Sequence, residues 1–317
     1  MDEWSLKRQK TIVITGAAGF TGQHACDYFT SIGMNVAALV RTKVTNEQLQ
    51  SKGIRYYICD LLNSAELEET IRSIKPDHVL HLGGKNAVPE AWQKPLLYME
   101  SNIMATFNLL NALRHFPSCR ILVIGSRLKF TLQPPYRPQH PYSLSKSLQS
   151  VSALSWASLF EQSVMIAEPC NLIGPGPSTG FCSLLGKYIV RLERGEKLPP
   201  FILSSRTERR DFLDVRDAVR AFAVLLFNGQ PGAIYQVDTG TERTLYEVAL
   251  SMAKLAPCAV PISWNENEAS EKERAAQTHR KPATPEHLLT SSWRPEIPIE
   301  QSYVDIMDYF RLKGGAS

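Results

Sequence analysis

The sequence predicts an α/β fold, in which a doubly wound parallel sheet is followed by a smaller α+β portion. Short apolar runs alternate with helical stretches as far as residue 170, and beyond residue 171 this alternation stops. A turn spaced by glycines joins the first apolar run to the first helical stretch. We therefore expect one domain over residues 1–170 and a second over residues 171–317, with some segments of the second returning to the sheet.

The predicted strands are short and rich in apolar, often β-branched residues, as is typical of strands buried on both faces of a sheet. They cover residues 11–15, 35–40, 54–59, 78–82, 120–124 and 164–167. Helices are predicted after the glycine turn at residues 16–22 and ending near Gly33, over residues 65–74, and around the apolar stripes at 103–113 and 144–154. In the second part, a Gly-Pro turn cluster at 174–177 and a short strand at 234–237 predict mixed structure.

Composition excludes several classes of protein. The net charge of +4 comes without a Lys/Arg tract or an aromatic-interleaved basic patch, so no nucleic-acid partner is indicated. No stretch approaches ~18 continuous apolar residues, and no signal-peptide pattern is found at the start, so no membrane span is expected. The six cysteines are scattered without metal-ligand spacing, which predicts reduced thiols and no metal site. With neither a signal peptide nor a membrane span indicated, we expect a cytoplasmic location by default.

Gly16, Gly19 and Gly22 follow the first predicted strand and open the first predicted helix. Glycines at such a turn allow a tight bend, close approach of a pyrophosphate to the backbone, and close packing of helix on strand. The spacing is one residue longer between the first two glycines than in the common fingerprint. The arrangement predicts a Rossmann-type dinucleotide site.

The end of the second predicted strand bears on the choice of dinucleotide. NAD enzymes usually place a carboxylate there, on the ribose 2′-hydroxyl. Here Arg41 and Lys43 offer positive charge for a 2′-phosphate, so NADP(H) is favoured and NAD(H) is the alternative. An ordinary surface arginine is the competing interpretation of Arg41. Asp60, after the third strand, either reaches the adenine amino group or caps a helix.

Tyr142 and Lys146 lie four residues apart on a predicted helix, so both side chains share one face. An unperturbed phenol titrates near ~10 and exchanges protons poorly at neutral pH. A nearby ammonium and a cationic nicotinamide ring favour the phenolate; a shift of ~3 units corresponds to roughly 4 kcal/mol. The pair predicts an acid–base site if a dinucleotide binds beside it, and a solvated helix face if none does.

These motifs, in this order along the chain, resemble the extended short-chain dehydrogenase/reductase family. The motifs are Gly16-x-x-Gly19-x-x-Gly22, Asp60-Leu61, His81-Leu82-Gly83-Gly84, Asn102, Ser126 and Tyr142-x-x-x-Lys146. Residues 171–176 and 210–217 extend the resemblance into the second domain. Together with residues 120–126 and Lys85, these two stretches look most like the GDP-6-deoxy-4-ketohexose reductases that form GDP-D-rhamnose.

The resemblance implies a catalytic set of Ser126, Tyr142 and Lys146. Tyr142 would exchange a proton with a sugar oxygen during hydride transfer, Ser126 would hydrogen-bond that oxygen, and Lys146 would bind the nicotinamide ribose. The implied cofactor contacts are Gly16, Gly19, Phe20, Gly22, Arg41, Asp60, Leu61, Leu82, Gly83, Gly84 and Lys146.

The implied nucleotide-sugar contacts are Lys85, Asn86, Asn171 and Arg210, with Arg210 on the diphosphate. An ion pair of Arg210 with Asp211 or Asp214 is the alternative. The family resemblance also implies a homodimer, in which the helices near 103–113 and 144–154 pair across a two-fold axis.

Departures from the family pattern disfavour a dehydration reaction. Related 4,6-dehydratases carry an acidic residue two positions after the serine, where this chain has Leu128. Phe130, Glu168 and a short loop before Tyr142 also differ from related enzymes, and they leave the choice of nucleotide sugar open.

The sequence therefore predicts NAD(P)H-dependent reduction of a 4-keto-6-deoxy nucleotide sugar of the GDP-4-keto-6-deoxy-mannose type. A nucleotide-sugar 4-epimerase with bound NAD is one alternative. A non-catalytic dinucleotide sensor or partner-binding protein on the same fold is the other.

Overall fold

The structure is a computed structural model that describes residues 9–43, 53–130, 132–264, 286–287 and 293–313, with only the backbone described at 286–287. The chain divides into two compact units. The first comprises Met1–Glu168 and Val219–Tyr235, and the second comprises Pro169–Ala218 and Gln236–Ser317. The binding roles predicted for the two parts stay predictions.

Those of the first unit alternate with helices, and the strands of both units are numbered in chain order. They are Thr11–Thr15 (β1), Asn35–Val40 (β2), Arg55–Ile58 (β3), His78–His81 (β4), Arg120–Ile124 (β5), Ser163–Pro169 (β6), Asn171–Ile173 (β7), Phe201–Leu203 (β8), Arg209–Asp214 (β9), Ile234–Val237 (β10), Glu242–Thr244 (β11), Ile262–Trp264 (β12) and Glu286–His287 (β13).

The α-helices follow the same numbering. They are Phe20–Ser31 (α1), Ser64–Ile74 (α2), Val88–Gln93 (α3), Pro95–Met99 (α4), Ala105–Ala112 (α5), Pro141–Phe160 (α6), Phe181–Glu193 (α7), Val215–Asn228 (α8), Leu245–Ala253 (α9) and Ile299–Lys313 (α10). A π-helical turn, Glu100–Met104, joins α4 to α5, and a 3₁₀ turn, Leu113–His115, follows α5.

The main sheet has eight strands in the order β13-β10-β6-β5-β4-β1-β2-β3. The pairs from β6 to β3 are parallel, with Thr15 opposite both Leu39 and His81 in register. The strand order reverses direction between β1 and β4, and ligands of open α/β sheets bind outside the carboxyl ends of the strands at such a point. The predicted α/β fold with a doubly wound parallel sheet is confirmed.

Local sequence explains where the two helices nearest this point begin. Gly19 is the N-cap residue of α1, and the helix ends just before Gly33, whose φ of +82° suits a glycine. The α6 helix starts at Pro141, and the His140 Nδ1 atom caps it by accepting a hydrogen bond from the Ser143 N–H at 2.9 Å.

The first unit packs around one apolar core beneath the sheet. Its fully buried members include Val13, Leu67, Leu109, Ile121 and Ile166, so strands and helices that are distant in sequence share one interior. Burying side chains of this size stabilises the unit by about 1.5–3 kcal/mol each, before conformational entropy is counted.

The second unit has its own core and two small sheets. Strands β11, β9 and β7 form one sheet, and β12 pairs in parallel with β8. Leu185, Phe212, Val248 and Ile306 are among the residues that pack in its interior. Over the described part of the chain, we find no helix that is long and apolar enough to cross a membrane.

Candidate active site

The glycine turn after β1 brings bare backbone segments close together at the start of α1. Gly16 has a φ of +66°, and a Cβ atom built on it would lie 2.9 Å from the Gly83 nitrogen. A Cβ on Gly22 would collide with the Gly16 carbonyl oxygen, so the start of α1 packs directly on the turn. The backbone cradle at the N-terminus of α1 therefore fits the pyrophosphate of a dinucleotide.

The other predicted cofactor residues lie at the carboxyl edge of the same sheet. Arg41 is exposed directly after β2, and Leu82 and Gly83 follow β4. The Asp60 Oδ1 atom accepts a hydrogen bond from the Leu62 N–H at 3.0 Å, whereas Asn63 caps α2. Asp60 thus stabilises a turn and is not the helix cap.

Three further predicted cofactor residues, Leu61, Gly84 and Phe20, each lie close to a neighbouring side chain or backbone. Leu61 approaches Gly83, because its Cδ1 atom would lie 2.9 Å from a Cβ built there. Gly84 is similarly close to the Asn102 Oδ1 atom. The Phe20 ring meets the His24 ring edge to face at 5.6 Å between centroids.

Ser126, Tyr142 and Lys146 are all buried in the first unit, with 6–8% of each residue exposed. Ser126 lies two residues after β5, and the other two lie in the first two turns of α6. Tyr142 and Ser126 are hydrogen-bonded, which lowers the pKa of the phenol, but burial is the larger effect and raises it. The phenol is therefore held in its protonated form, as a proton donor requires.

The Lys146 ammonium is fixed by two acceptors. It donates to the Ile124 carbonyl oxygen at 2.7 Å and to the Gln149 Oε1 atom at 2.7 Å. Burial lowers the pKa of Lys146 to about 8, and the negative charge of Glu168 opposes that shift. Without a dinucleotide, burial and Ser126 are the two causes that shift the pKa of Tyr142, so a lowering of that pKa by Lys146 beside a bound nicotinamide stays a prediction.

The aromatic surroundings of Tyr142 hold its ring from two sides. The Tyr98 ring packs edge to face at 6.3 Å, and the His140 ring is stacked at 5.8 Å between centroids. The Tyr98 hydroxyl donates to the Ala87 carbonyl oxygen and lies 3.0 Å from the Glu90 Oε2 atom. The two ring contacts hold the Tyr142 ring in place and do not involve the Tyr142 hydroxyl.

The segment after Ser126 is tied down by its own contacts. The Ser126 Oγ atom accepts a hydrogen bond from the Leu128 N–H at 3.0 Å, while the Leu128 side chain is exposed. The Phe130 N–H donates to the Ser147 Oγ atom on α6 at 2.9 Å. Lys129 pairs with the buried Glu168 carboxylate at 2.6 Å. Burial raises the pKa of Glu168, and Lys129 opposes that rise.

The predicted nucleotide-sugar residues are less uniformly held. Lys85 pairs with Glu90 at 2.9 Å, and Asn86 is exposed. In the second unit, the Asn171 side-chain amide donates to the Asp211 carbonyl oxygen at 2.9 Å. Arg210 pairs with Glu208 at 2.8 Å, rather than with Asp211 or Asp214.

Sequence reasoning missed the polar residues behind Lys146. Gln149 is 1% exposed and bonds directly to the lysine, and its position three residues later on the same helix was the available signal. His81 was noted only as part of a motif, yet it is buried and bonded at both ring nitrogens. Asn102, in the π-helical turn, holds the Lys85 backbone and Ser145.

No group of three or more His, Cys, Asp or Glu side chains within the described ranges is arranged to hold a metal ion. The site instead offers a backbone cradle, a buried phenol and a fixed ammonium.

A family model described as the NAD dependent epimerase/dehydratase family matches residues 12–238. The chain belongs to the NAD-dependent epimerase/dehydratase family. The sequence-based assignment to extended short-chain dehydrogenases/reductases is thereby confirmed. So is the prediction that the chain is an enzyme, an NAD(P)-dependent oxidoreductase or epimerase.

Two relatives of this epimerase/dehydratase family illustrate its range. The chain is 29% identical over 303 residues to GDP-6-deoxy-D-mannose reductase of Pseudomonas aeruginosa, which covers 92% of this chain and 94% of the relative. It is 25% identical over 322 residues to dTDP-D-glucose 4,6-dehydratase of Mus musculus, over 95% of this chain and 89% of the relative.

Among solved structures, the fold resembles that of RMD from Pseudomonas aeruginosa complexed with NADPH. The TM-score is 0.75 at 26% identity, and the match covers 96% of this chain and all of the other. The likeness extends over both units of this family member.

Proposed function

We propose that the protein reduces the keto group of a 4-keto-6-deoxy nucleotide sugar, of the GDP-4-keto-6-deoxy-mannose type, with NADPH. The observation that carries this proposal is the buried Tyr142 phenol, which is hydrogen-bonded to Ser126 and kept protonated by burial. A protonated phenol suits the reductive direction, in which an acid must supply a proton to a developing alkoxide. The resemblance to GDP-6-deoxy-D-mannose reductase supports the substrate class.

NADPH would supply the hydride, and this chain's own residues would do the rest. Ser126 would orient the reacting sugar oxygen by a hydrogen bond, and Tyr142 would donate its hydroxyl proton to that oxygen. Lys146 would bind the nicotinamide ribose, and its charge would stabilise the phenolate that remains. Leu128 stands where a dehydratase needs an acid, which supports reduction over elimination.

The cofactor assignment rests on the glycine cradle and on charge at the β2 end. Gly16, Gly19 and Gly22 would hold the pyrophosphate, while Phe20, Asp60, Leu61 and the 82–84 turn would line the nucleoside portions. Arg41 is exposed directly after β2, at the position where NAD enzymes usually have a carboxylate, which supports a 2′-phosphate and hence NADP(H). NAD(H) is the alternative, and the NADPH bound to the similar RMD structure favours the phosphate form.

Substrate contacts are assigned to four polar residues. Lys85 and Asn86 would bind the sugar from the first unit. Asn171 would bind the nucleotide sugar and Arg210 its diphosphate, because a planar guanidinium suits phosphate oxygens. Under this proposal residues 171–317 form the nucleotide-sugar-binding domain and residues 1–170 the dinucleotide-binding domain.

We also propose a homodimer formed through α5 and α6. Along this part of the first unit Met104, Val151 and Leu159 are exposed by 49%, 48% and 74%, which supports an apolar face that a second copy would cover. A cytoplasmic location is part of the same proposal, and the six cysteines, none of which is in a disulfide, are compatible with a reducing compartment.

The test is to incubate the purified protein with NADPH and GDP-4-keto-6-deoxy-mannose, and to follow both NADPH absorbance and the sugar product. We expect NADPH oxidation that depends on the keto sugar. Absence of oxidation with this substrate and with its TDP and UDP analogues would contradict it. Tightly bound NAD⁺ in the purified protein, with sugar epimers formed and no NADPH consumed, would favour the 4-epimerase.

A further inference from the structure

A buried chain of hydrogen bonds runs behind Lys146, through residues to which the proposed reaction gives no role. Gln149, Thr106, His81 and Thr15 are each no more than 1% exposed. Gln149 bonds to Lys146 at 2.7 Å and to the Thr106 Oγ1 atom at 2.9 Å. From Thr106 the chain continues through His81 to Thr15, at 2.9 and 2.7 Å.

The direction of each hydrogen bond in this chain follows from one donor. The Thr106 hydroxyl donates to the Asn102 carbonyl oxygen at 2.7 Å, so its oxygen accepts from both Gln149 Nε2 and His81 Nε2. His81 therefore carries its proton on Nε2, and its Nδ1 atom accepts from the Thr15 hydroxyl. Burial lowers the pKa of His81 to about 3, so the ring stays neutral and this tautomer is fixed.

The same series of hydrogen bonds reaches the backbone of the turn after β4, among the predicted cofactor residues. The Thr15 Oγ1 atom accepts a hydrogen bond from the Gly83 N–H at 2.9 Å, directly after β4. At the other end, the fixed donors determine the orientation of the Gln149 amide. A flipped amide would point its N–H₂ group at the Lys146 ammonium and its oxygen at Thr106, whose hydrogen is already donated. Gln149 can therefore present only its carbonyl oxygen to Lys146.

We propose that Gln149 is a positioning residue, whose oriented carbonyl oxygen holds the Lys146 ammonium in place for the dinucleotide and for Tyr142. With Ile124 and Gln149 accepting two of the three ammonium protons, the third is left to point in one direction. A lysine side chain has several rotatable bonds, and two fixed acceptors remove that freedom before the cofactor binds. The inference rests on the proposed function for the role of Lys146.

A purely structural role for Gln149 would act through Thr106, since that bond joins α6 to α5. Two substitutions separate the roles. Gln149→Glu keeps an acceptor for Lys146 but loses the donor to Thr106, whereas Gln149→Leu loses both. Gln162→Leu is the matched control, because Gln162 is also buried and its amide donates to the Leu110 carbonyl oxygen of α5 at 2.9 Å, away from Lys146.

The experiment measures NADPH affinity by fluorescence titration and the Lys146 pKa by NMR of ¹³C-lysine-labelled full-length protein, with the Lys146 signal assigned from Lys146→Arg. We expect Gln149→Leu to weaken NADPH binding about tenfold, because a hydrogen bond to a charged group is lost. It should also lower the Lys146 pKa further. Gln149→Glu should bind NADPH within about threefold of wild type and raise the Lys146 pKa. Gln162→Leu should leave both values unchanged.

Equal losses of NADPH affinity in Gln149→Leu and Gln149→Glu would overturn the proposal, because the Thr106 bond would then be what matters. Wild-type affinity and an unshifted Lys146 pKa in Gln149→Leu would overturn it as well. Neither readout requires turnover. If wild-type protein binds NADPH but reduces no keto sugar, the reductase proposal fails while these two measurements still decide the role of Gln149.

Discussion

The predicted catalytic groups of the first unit and the predicted diphosphate and sugar contacts of the second are held in different ways. Tyr142 and Lys146 are buried, and Lys146 donates to two fixed acceptors. Arg210 keeps 33% of its side chain exposed and pairs with Glu208 two residues before it, and Asn171 is exposed. A buried set whose side chains are fixed by hydrogen bonds is preorganised for one reaction, whereas partly exposed groups can exchange their partners for those of a ligand. We therefore expect substitutions in the first set to reduce turnover, and substitutions in the second to weaken substrate binding.

The largest effect is expected for Tyr142→Phe. Removing the hydroxyl takes away the proton donor and should lower kcat about 10²–10⁴-fold, the usual range for general acid catalysis. NADPH affinity and thermal stability should change little, because the ring contacts with Tyr98 and His140 remain. Tyr136→Phe is the control, since Tyr136 is 64% exposed and should keep wild-type turnover. A Tyr142→Phe variant with near-normal kcat would show that the buried groups of the first unit do not set the turnover rate.

Arg210→Ala tests whether the partly exposed groups of the second unit act on substrate binding. We expect KM for the nucleotide sugar to rise about tenfold, from the loss of a charge-assisted contact to phosphate, with kcat within about twofold of wild type. Arg209→Ala is the matched control, because adjacent strand residues point to opposite faces, and Arg209 bonds to the Glu242 carbonyl oxygen. Steady-state kinetics on both variants provide the test. A tenfold fall in kcat for Arg210→Ala would mean that the second unit also sets the chemistry.

Arg41→Ser should act on the cofactor alone. Because Arg41 is exposed, we expect only about a fivefold loss of NADPH affinity, with NADH affinity unchanged. Arg55→Ser serves as control, since Arg55 is exposed at the opposite, amino end of the neighbouring strand β3. Fluorescence titration with both dinucleotides measures the effect. Equal losses for NADPH and NADH would assign Arg41 to a contact other than the 2′-phosphate.

The smallest effect concerns the stability of the helix that carries Tyr142. Burial lowers the pKa of His140, and its unprotonated Nδ1 atom caps α6. As the pH falls below ~6.5, the unfolded chain binds a proton at this histidine before the native chain does. The free energy of unfolding therefore drops, by less than about 1.4 kcal/mol per pH unit for this group.

The variant His140→Asn keeps a good cap and cannot titrate, so it should lose less stability between ~pH 7 and ~pH 5. Urea unfolding at several pH values measures this difference. His115→Asn is the control, because the His115 side chain is 68% exposed. Parallel pH dependences for wild type and His140→Asn would show that the cap does not depend on the protonation state of His140.

Most of the first unit's fold can be predicted from the sequence, because its strands are local apolar runs. Residues 11–15, 35–40 and 120–124 form strands with the predicted bounds, and the glycine turn precedes α1 as expected. Such elements are determined by neighbouring residues and by the backbone freedom of glycine. Gly33 ends α1 for the same reason.

The rest depends on contacts between residues far apart in sequence. Gln149 meets Thr106, and Thr106 meets His81, only after a strand and two helices have packed together. The partner of Arg210 was also unpredictable from composition, because Glu208, Asp211 and Asp214 are all near it in sequence. The π-helical turn Glu100–Met104 leads into the apolar stripe at 103–113, whose ordinary helical spacing gave no sign of it. Side-chain partners of this kind follow from tertiary packing rather than from local pattern.

Isotope transfer would show whether this chain moves a hydride from NADPH to a keto sugar. The protein is incubated with NADPH deuterated at the transferred position and with GDP-4-keto-6-deoxy-mannose, and the product is analysed by mass spectrometry. We expect a reduced sugar that carries one deuterium for each NADPH oxidised, and no labelled product with Tyr142→Phe on the same timescale. A sugar product without deuterium, or bound NADPH that is never oxidised, would contradict it.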